Sequence, residues 1–159
     1  MKNKKNIRYL VLWLADNCNL KCKYCYAQPV FTHELMSLET AKKAINLCKD
    51  KDFTLILAGG EPLLNFKVIE KLYQYLKENG YKCKIGLQSN GTLITDEIAE
   101  KLAAMEINIG ISFDGTMAVN EELRGGTKKV LEGINLVIEH KKNININCVL
   151  SNRNIDKLE

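Results

Sequence analysis

Three cysteines, Cys18, Cys22 and Cys25, fall within eight residues at spacing C-x3-C-x2-C. They come directly after the apolar run Tyr9 to Leu14. Three thiolates on one short loop can hold a metal centre. With no fourth ligand nearby, such a set leaves a coordination position open, and open positions are where metal chemistry occurs. A structural zinc site or a closed electron-transfer cluster would need a fourth ligand at motif spacing. The remaining candidates fit poorly: His33 lies eight residues past Cys25, His140 is remote and Cys48 falls on an expected helix. A third alternative is buried, inert thiols.

Other polar residues stand out downstream. Gly59-Gly60-Glu61-Pro62 combines glycines that let backbone approach a ligand closely with a carboxylate able to accept from an ammonium. Its plain alternative is a glycine turn with a solvated glutamate. Asn90-Gly91 and Asp114-Gly115 are also ordinary turn pairs, Ser112 is also an ordinary polar strand end, and Arg124 is also an ordinary loop arginine. Cys48, Cys83 and Cys148 are expected as small buried hydrophobes.

The elements that must position these residues alternate. β-prone apolar segments run Tyr9–Leu14, Phe53–Ala58, Lys82–Leu87, Ile107–Phe113 and Ile144–Leu150. Between them lie helical patterns. Ser37 can cap a helix to about Lys49, with Glu39 in its first turn. Asn65 can cap the next, whose stripe Val68, Ile69, Leu72 and Leu76 precedes Gly80. Thr95 opens a third with Ile98 and Leu102 inward, and Val130, Leu131, Ile134, Val137 and Ile138 line a fourth. Strand–helix alternation argues for an α/β fold with a parallel sheet. The cysteine loop, Gly59-Gly60-Glu61-Pro62, Ser89-Asn90-Gly91-Thr92, Asp114-Gly115 and Ser151-Asn152 then each follow a strand, at the C-terminal ends where such sheets and barrels place their sites.

Composition sets bounds. The chain has 159 residues, 46% hydrophobic and 26% charged, with a net charge of +4, which is ordinary for one globular domain. The lysines are scattered, and Met1 to Lys5 reads as a short solvated tail, so nucleic acid is not an expected partner. No apolar run approaches the roughly 18 residues of a membrane span, so no membrane association is expected. The first apolar run is too short for a signal-peptide core, and the expected location is the cytoplasm, where clustered cysteines bind metals rather than pair as disulfides. The end, Asn154 to Glu159, reads as the first turn of a helix cut short, and Leu158-Glu159 also fits a vector-derived dipeptide.

Cys18-x3-Cys22-x2-Cys25, with aromatic Tyr24 before the last cysteine, resembles the signature of the radical S-adenosylmethionine (radical SAM) superfamily. The resemblance implies that Cys18, Cys22 and Cys25 hold three irons of a [4Fe-4S] cluster, and that the amino and carboxylate groups of S-adenosylmethionine bind the fourth. An electron from the cluster would cleave the sulfonium, giving methionine and a 5′-deoxyadenosyl radical that abstracts hydrogen from substrate. The protein's part is then position and exclusion of water. Gly59-Gly60-Glu61-Pro62 is similar to the family's GGE motif, which receives the methionine ammonium. Ser112-Phe113-Asp114-Gly115 with Arg124 resembles the region where a serine meets the ribose or carboxylate and an arginine pairs with the methionine carboxylate, for which a guanidinium fork is suited. By the same resemblance Asp114 touches ribose or forms a turn, Tyr24 stacks on adenine or packs, and Leu150 walls adenine or joins the core. Asn90-Gly91 is similar to the family's TNG or SNG element.

The implied fold is a partial (β/α)6 TIM-like barrel with parallel strands. Residues 1–159 would form its core domain, with about five β/α units and a stop before the sixth strand. The stretch Cys18 to Ala27, with Ser112-Phe113-Asp114-Gly115 and Arg124-Gly125-Gly126, most resembles the SPASM/twitch group. That implies a peptide or protein substrate, reduced flavodoxin or ferredoxin as electron donor, and a further cysteine-rich domain. The alternatives are a small-molecule enzyme resembling those of molybdenum-cofactor biosynthesis, or a non-catalytic iron–sulfur or zinc-binding module.

Overall fold

In a computed structural model, which describes residues 6–28, 32–141 and 143–157, the apolar segments pair into one five-stranded sheet. The expected basic tail (Met1 to Lys5) and terminal Leu158-Glu159 lie outside the described residues. The strands are β1 (Tyr9–Ala15), β2 (Thr54–Gly59), β3 (Lys84–Ser89), β4 (Asn108–Ser112) and β5 (Asn145–Asn147). All four neighbouring pairs are parallel, in the order β1-β2-β3-β4-β5. Right-handed crossovers in strictly sequential order put every helix on the same face, whereas a doubly wound sheet reverses order at a switch point. The fold is the α/β parallel sheet that strand–helix alternation implied, in the partial-barrel form that the resemblance implied.

One sheet face is the core. Leu12, Leu14, Leu55, Leu57, Ile85, Leu87, Ile109 and Ile111 pack with buried helix residues such as Ile45, Ile69, Leu72, Leu102 and Val130. The other face follows the register rows Val11–Ile56–Gly86–Asn108 and Gln88–Gly110–Asn145, with Trp13 beside Ala58. Tyr9, Val11 and Trp13 are exposed there.

The helices are α1 (Leu38–Ile45), α2 (Phe66–Glu78), α3 (Asp96–Ala104), α4 (Met117–Leu123) and α5 (Thr127–Lys141). Ser37 caps α1 by accepting from Thr40 N at 3.1 Å, as expected. The helix ends at Ile45 rather than near Lys49, because Leu47 N and Cys48 N bond three residues back, to Ala44 O and Ile45 O, and tighten the last turn. Cys48 therefore lies beyond the helix, and it is buried. Asn65 occupies the N-cap position of α2, as expected, but its side chain makes no capping bond there. Its amide donates to Leu14 O and Met36 O, both at 2.9 Å, and a 3₁₀ turn Pro62–Asn65 capped by Glu61 leads directly into the helix. Thr95 caps α3 by accepting from Ile98 N at 3.3 Å.

Three further differences concern the last third of the chain. Helix α4 is additional to the four helical patterns; at seven residues it is too short to show a periodic stripe. Ile138 of α5 is exposed, since the helix packs through Val130, Gly133 and Val137. Strand β5 spans only Asn145–Asn147, because Val149 N leaves the ladder to donate to Asp114 Oδ1 at 2.9 Å. Consequently Cys148 and Leu150 are exposed rather than buried; Cys83, just before β3, is separately half-buried rather than buried.

Candidate metal and cofactor site

The cysteine loop leaves the C-terminal end of β1 and is clasped by the ends of β2, β3 and β4. Gly59 and Gly60 are needed for that clasp. A Cβ on Gly60 would lie 2.1 Å from Asn17 O, and one on Gly59 (φ +139°) 2.6 Å from Ala15 O. The close approach is thus between β2 and the loop, where sequence reasoning expected an approach to a ligand. Two backbone bonds, Gly60 N to Ala15 O and Glu61 N to Asn17 O, both 2.8 Å, seal the contact.

Glu61 is fully buried. Its Oε1 accepts from Leu63 N at 3.0 Å and Ser89 Oγ at 2.9 Å, and its Oε2 accepts from Asn90 N at 2.7 Å. Burial pushes its carboxyl above the usual range, opposed by these hydrogen bonds and the Arg124 charge. Three of roughly four lone-pair sites on the carboxylate are taken, leaving one on Oε2.

Asn90 faces the cysteines directly. Its Nδ2 donates to Cys18 Sγ at 3.6 Å and Asn19 Oδ1 at 2.9 Å, while its Oδ1 accepts from Thr92 N and Thr92 Oγ1. Leu20 N also donates to Cys18 Sγ, at 3.4 Å. Two N–H donors on one sulfur stabilise negative charge there, the arrangement that tunes iron–sulfur ligands. Burial pushes the Cys18 thiol up, opposed by the Leu20 bond; burial also raises Cys22, opposed by the charge of Arg124.

Tyr24, Asp114 and Arg124 form one cluster. The Tyr24 hydroxyl donates to Asp114 Oδ2, and Arg124 Nη1 donates to the Tyr24 oxygen at 2.5 Å. Arg124 Nη1 also lies 3.8 Å from Asp114 Oδ2, with both side chains buried. Asp114 is fully buried and accepts from the Tyr24 hydroxyl and from Val149 N. Burial first, then the bond to Asp114, raises the Tyr24 hydroxyl far above its usual range. Arg124 Nε is buried without a partner among the described residues. Ser112, half-buried, ends β4 opposite Asn147. Leu150 is 58% exposed and is not core.

The structure also shows partners of these residues that spacing alone did not reveal. Ser89 holds Glu61, and buried Asn120 accepts from Asp114 N at 3.1 Å while donating to Thr127 Oγ1 at 2.9 Å. Thr116 before Val119 was the available signal for α4, since Thr116 caps it. Nothing in the one-dimensional pattern marked Asn120.

The donor set fits a polynuclear centre. Cys18, Cys22 and Cys25 are free thiols of intermediate exposure on one loop. Among the described residues, no group of three or more His, Cys, Asp or Glu side chains is arranged for a single metal ion. A cluster does not need such convergence, since each iron takes its own thiolate.

Comparison with known proteins agrees. The sequence profile of the radical SAM superfamily matches residues 14–159. An uncharacterized protein of Methanocaldococcus jannaschii is 37% identical, the match covering 96% of this chain and 56% of that protein. A GTP 3′,8-cyclase of Syntrophomonas wolfei is 31% identical over 87% of this chain and 44% of its own length. The solved structure of native anSMEcpe with bound AdoMet and Cp18Cys peptide is similar at TM-score 0.80 and 26% identity, over 97% of this chain and 46% of that one. The chain thus spans about half the length of these relatives. The superfamily consists of enzymes that bind a [4Fe-4S] cluster and S-adenosylmethionine. With its profile matched over residues 14–159 and its cysteine loop clasped at the strand ends, the chain belongs to the radical SAM superfamily.

Proposed function

We propose that this chain is the core of a radical SAM enzyme of the SPASM/twitch type, acting on a peptide or protein. The cysteine loop carries the proposal: three free thiols on one loop, two N–H donors on Cys18, and an arginine with an unpaired buried Nε nearby. Cys18, Cys22 and Cys25 would hold the cluster as thiolates. When bound, the reduced cluster would supply one electron to the sulfonium of S-adenosylmethionine, whose cleavage would give methionine and a 5′-deoxyadenosyl radical for hydrogen abstraction from the substrate.

The chain's own residues bind and orient. Glu61 keeps one acceptor site for the methionine ammonium beside the carbonyls of Gly59 and Gly60. The unpaired Arg124 Nε suits the methionine carboxylate. Ser112, half-buried at the end of β4, would meet ribose or carboxylate, and exposed Leu150 would offer adenine an apolar side. Asn90 acts on Cys18 instead, and Tyr24 and Asp114 brace the loop. A reduced flavodoxin or ferredoxin would be the electron donor.

Two observations favour a peptide. The similar anSMEcpe structure holds one. Among the described residues, the strand positions on the open sheet face carry a single cation, Lys84, at the end of β3 opposite the site. A triphosphate would call for several. The second reading, a nucleotide substrate, is favoured by the similarity to a GTP 3′,8-cyclase. Both are tested by reconstituting the protein anaerobically with S-adenosylmethionine and dithionite and measuring 5′-deoxyadenosine. Peptides should stimulate its formation and GTP should not. Stimulation by GTP alone would reverse the choice, and no 5′-deoxyadenosine under any condition would defeat both readings.

A further inference from the structure

The cysteine loop is held at two separate places. Its Cys18 half is fixed by the ends of β2 and β3, through Glu61 N on Asn17 O and Asn90 on Cys18 and Asn19. Its Cys22–Cys25 half is fixed by α4 and the end of β4. There Lys23 N donates to Leu123 O at 2.8 Å, and Lys23 Nζ pairs with Glu122 at 3.3 Å. That ion pair is half-exposed on both sides and holds little. The stronger tie is buried, where the Tyr24 hydroxyl sits between Asp114 and Arg124, with the guanidinium 5.9 Å from the tyrosine ring centroid. Asp114 in turn accepts from Val149 N, and its own N donates to Asn120. The cluster therefore joins the loop to β4, α4 and the segment after β5.

We propose that Tyr24, Asp114 and Arg124 are a latch that closes the Cys22–Cys25 half of the metal-binding loop and sets how firmly its metal is retained. Tyr24 is a positioning residue here: it touches no metal ligand in the contacts described, and acts by fixing the loop that carries Cys22 and Cys25. Without its hydroxyl, Arg124 and Asp114 keep only their ion pair at 3.8 Å, too long for a hydrogen bond, and Tyr24 loses its hydrogen bonds to both. The Cys18 half stays anchored, so iron should still be taken up but held less securely.

The latch rests on the cluster reading above, and its test separates the two. The protein is reconstituted anaerobically as wild type, Tyr24→Phe, Arg124→Lys and Tyr26→Phe, the last altering an exposed side chain on the same loop. Iron per chain, the rate of iron release to a chelator, the EPR line shape of the reduced protein and the melting temperature of the iron-free form are measured. Tyr24→Phe should take up wild-type iron and release it at least about tenfold faster, since two buried hydrogen bonds to charged partners are lost. Its EPR line should broaden, and the iron-free melting temperature should fall by only a few degrees, because buried Asp114 and Arg124 each lose one partner but keep their mutual ion pair. Arg124→Lys should shift release the same way, and Tyr26→Phe should match wild type. Wild-type release from both Tyr24→Phe and Arg124→Lys, or equal acceleration in Tyr26→Phe, would overturn the latch. A wild-type protein that takes up no iron would contradict the cluster itself, and the latch with it.

Discussion

At the scale of single residues, Glu61 and Gly60 show how much of the site is internal architecture. Glu61→Ala would strand Leu63 N, Ser89 Oγ and Asn90 N in a buried place. Orphaned buried donors cost about 1–3 kcal/mol each. Removing the carboxyl also relieves the cost of its burial, so a fall of roughly 2–5 kcal/mol in the unfolding free energy of the iron-free protein is expected from urea titration, and a change below about 1 kcal/mol would be inconsistent with these contacts. Gly60→Ala drives a Cβ into the Asn17 carbonyl, which is backbone and cannot rotate away. It should displace the cysteine loop and leave the protein short of iron after reconstitution; full iron content would show that the loop tolerates the shift. These residues were legible in the sequence because cysteine spacing and a Gly-Gly-Glu turn are local patterns. Their partners were not. That Asn90 would serve Cys18, or that Asp114 would be enclosed by Tyr24 and Arg124, depends on loops brought together from distant strands.

Elements carry a second set of consequences. In α5, Gly133 lies where a Cβ would meet Gly91 O at 2.3 Å. Alanine is the better helix former by about 1 kcal/mol, so propensity alone predicts that Gly133→Ala stabilises. The contact with the Asn90-Gly91 turn predicts the opposite, a lower melting temperature, which thermal unfolding can decide. Helices α3 and α5 are also joined by His140 Nε2 and Asp96 Oδ1, 2.7 Å apart. The hydrogen bond to Asp96, with added attraction from Asp96, Glu100 and Glu139, raises the imidazole above its ordinary value of 6.5. A raised folded value means that the contribution is fully present below the ordinary value and is lost as pH rises through the folded one. The melting-temperature gap between wild type and His140→Gln should therefore be widest at acid pH and close toward alkaline pH. A gap independent of pH would rule out the ion pair. The long amphipathic helices were readable from their stripes. Helix α4 was not, because seven residues do not make a stripe, and β5 was overextended because its alternation continues past the point where Val149 turns to Asp114.

On the scale of the whole molecule, strictly sequential parallel pairing brings the polar loops to one end of the sheet and leaves the opposite sheet face open. Alternation of strands and helices predicted that gathering, since parallel strands present all their C-terminal ends together. The cysteine loop at that end is the centre of the account, and Cys22→Ala should abolish cluster assembly. The most direct test is the EPR spectrum of the anaerobically reconstituted, dithionite-reduced protein before and after addition of S-adenosylmethionine. A cluster of about four irons held by three cysteines keeps one iron free for the cofactor, so the signal should shift on addition and be missing from Cys22→Ala. An iron–sulfur signal that ignores S-adenosylmethionine, or survives in Cys22→Ala, would contradict it.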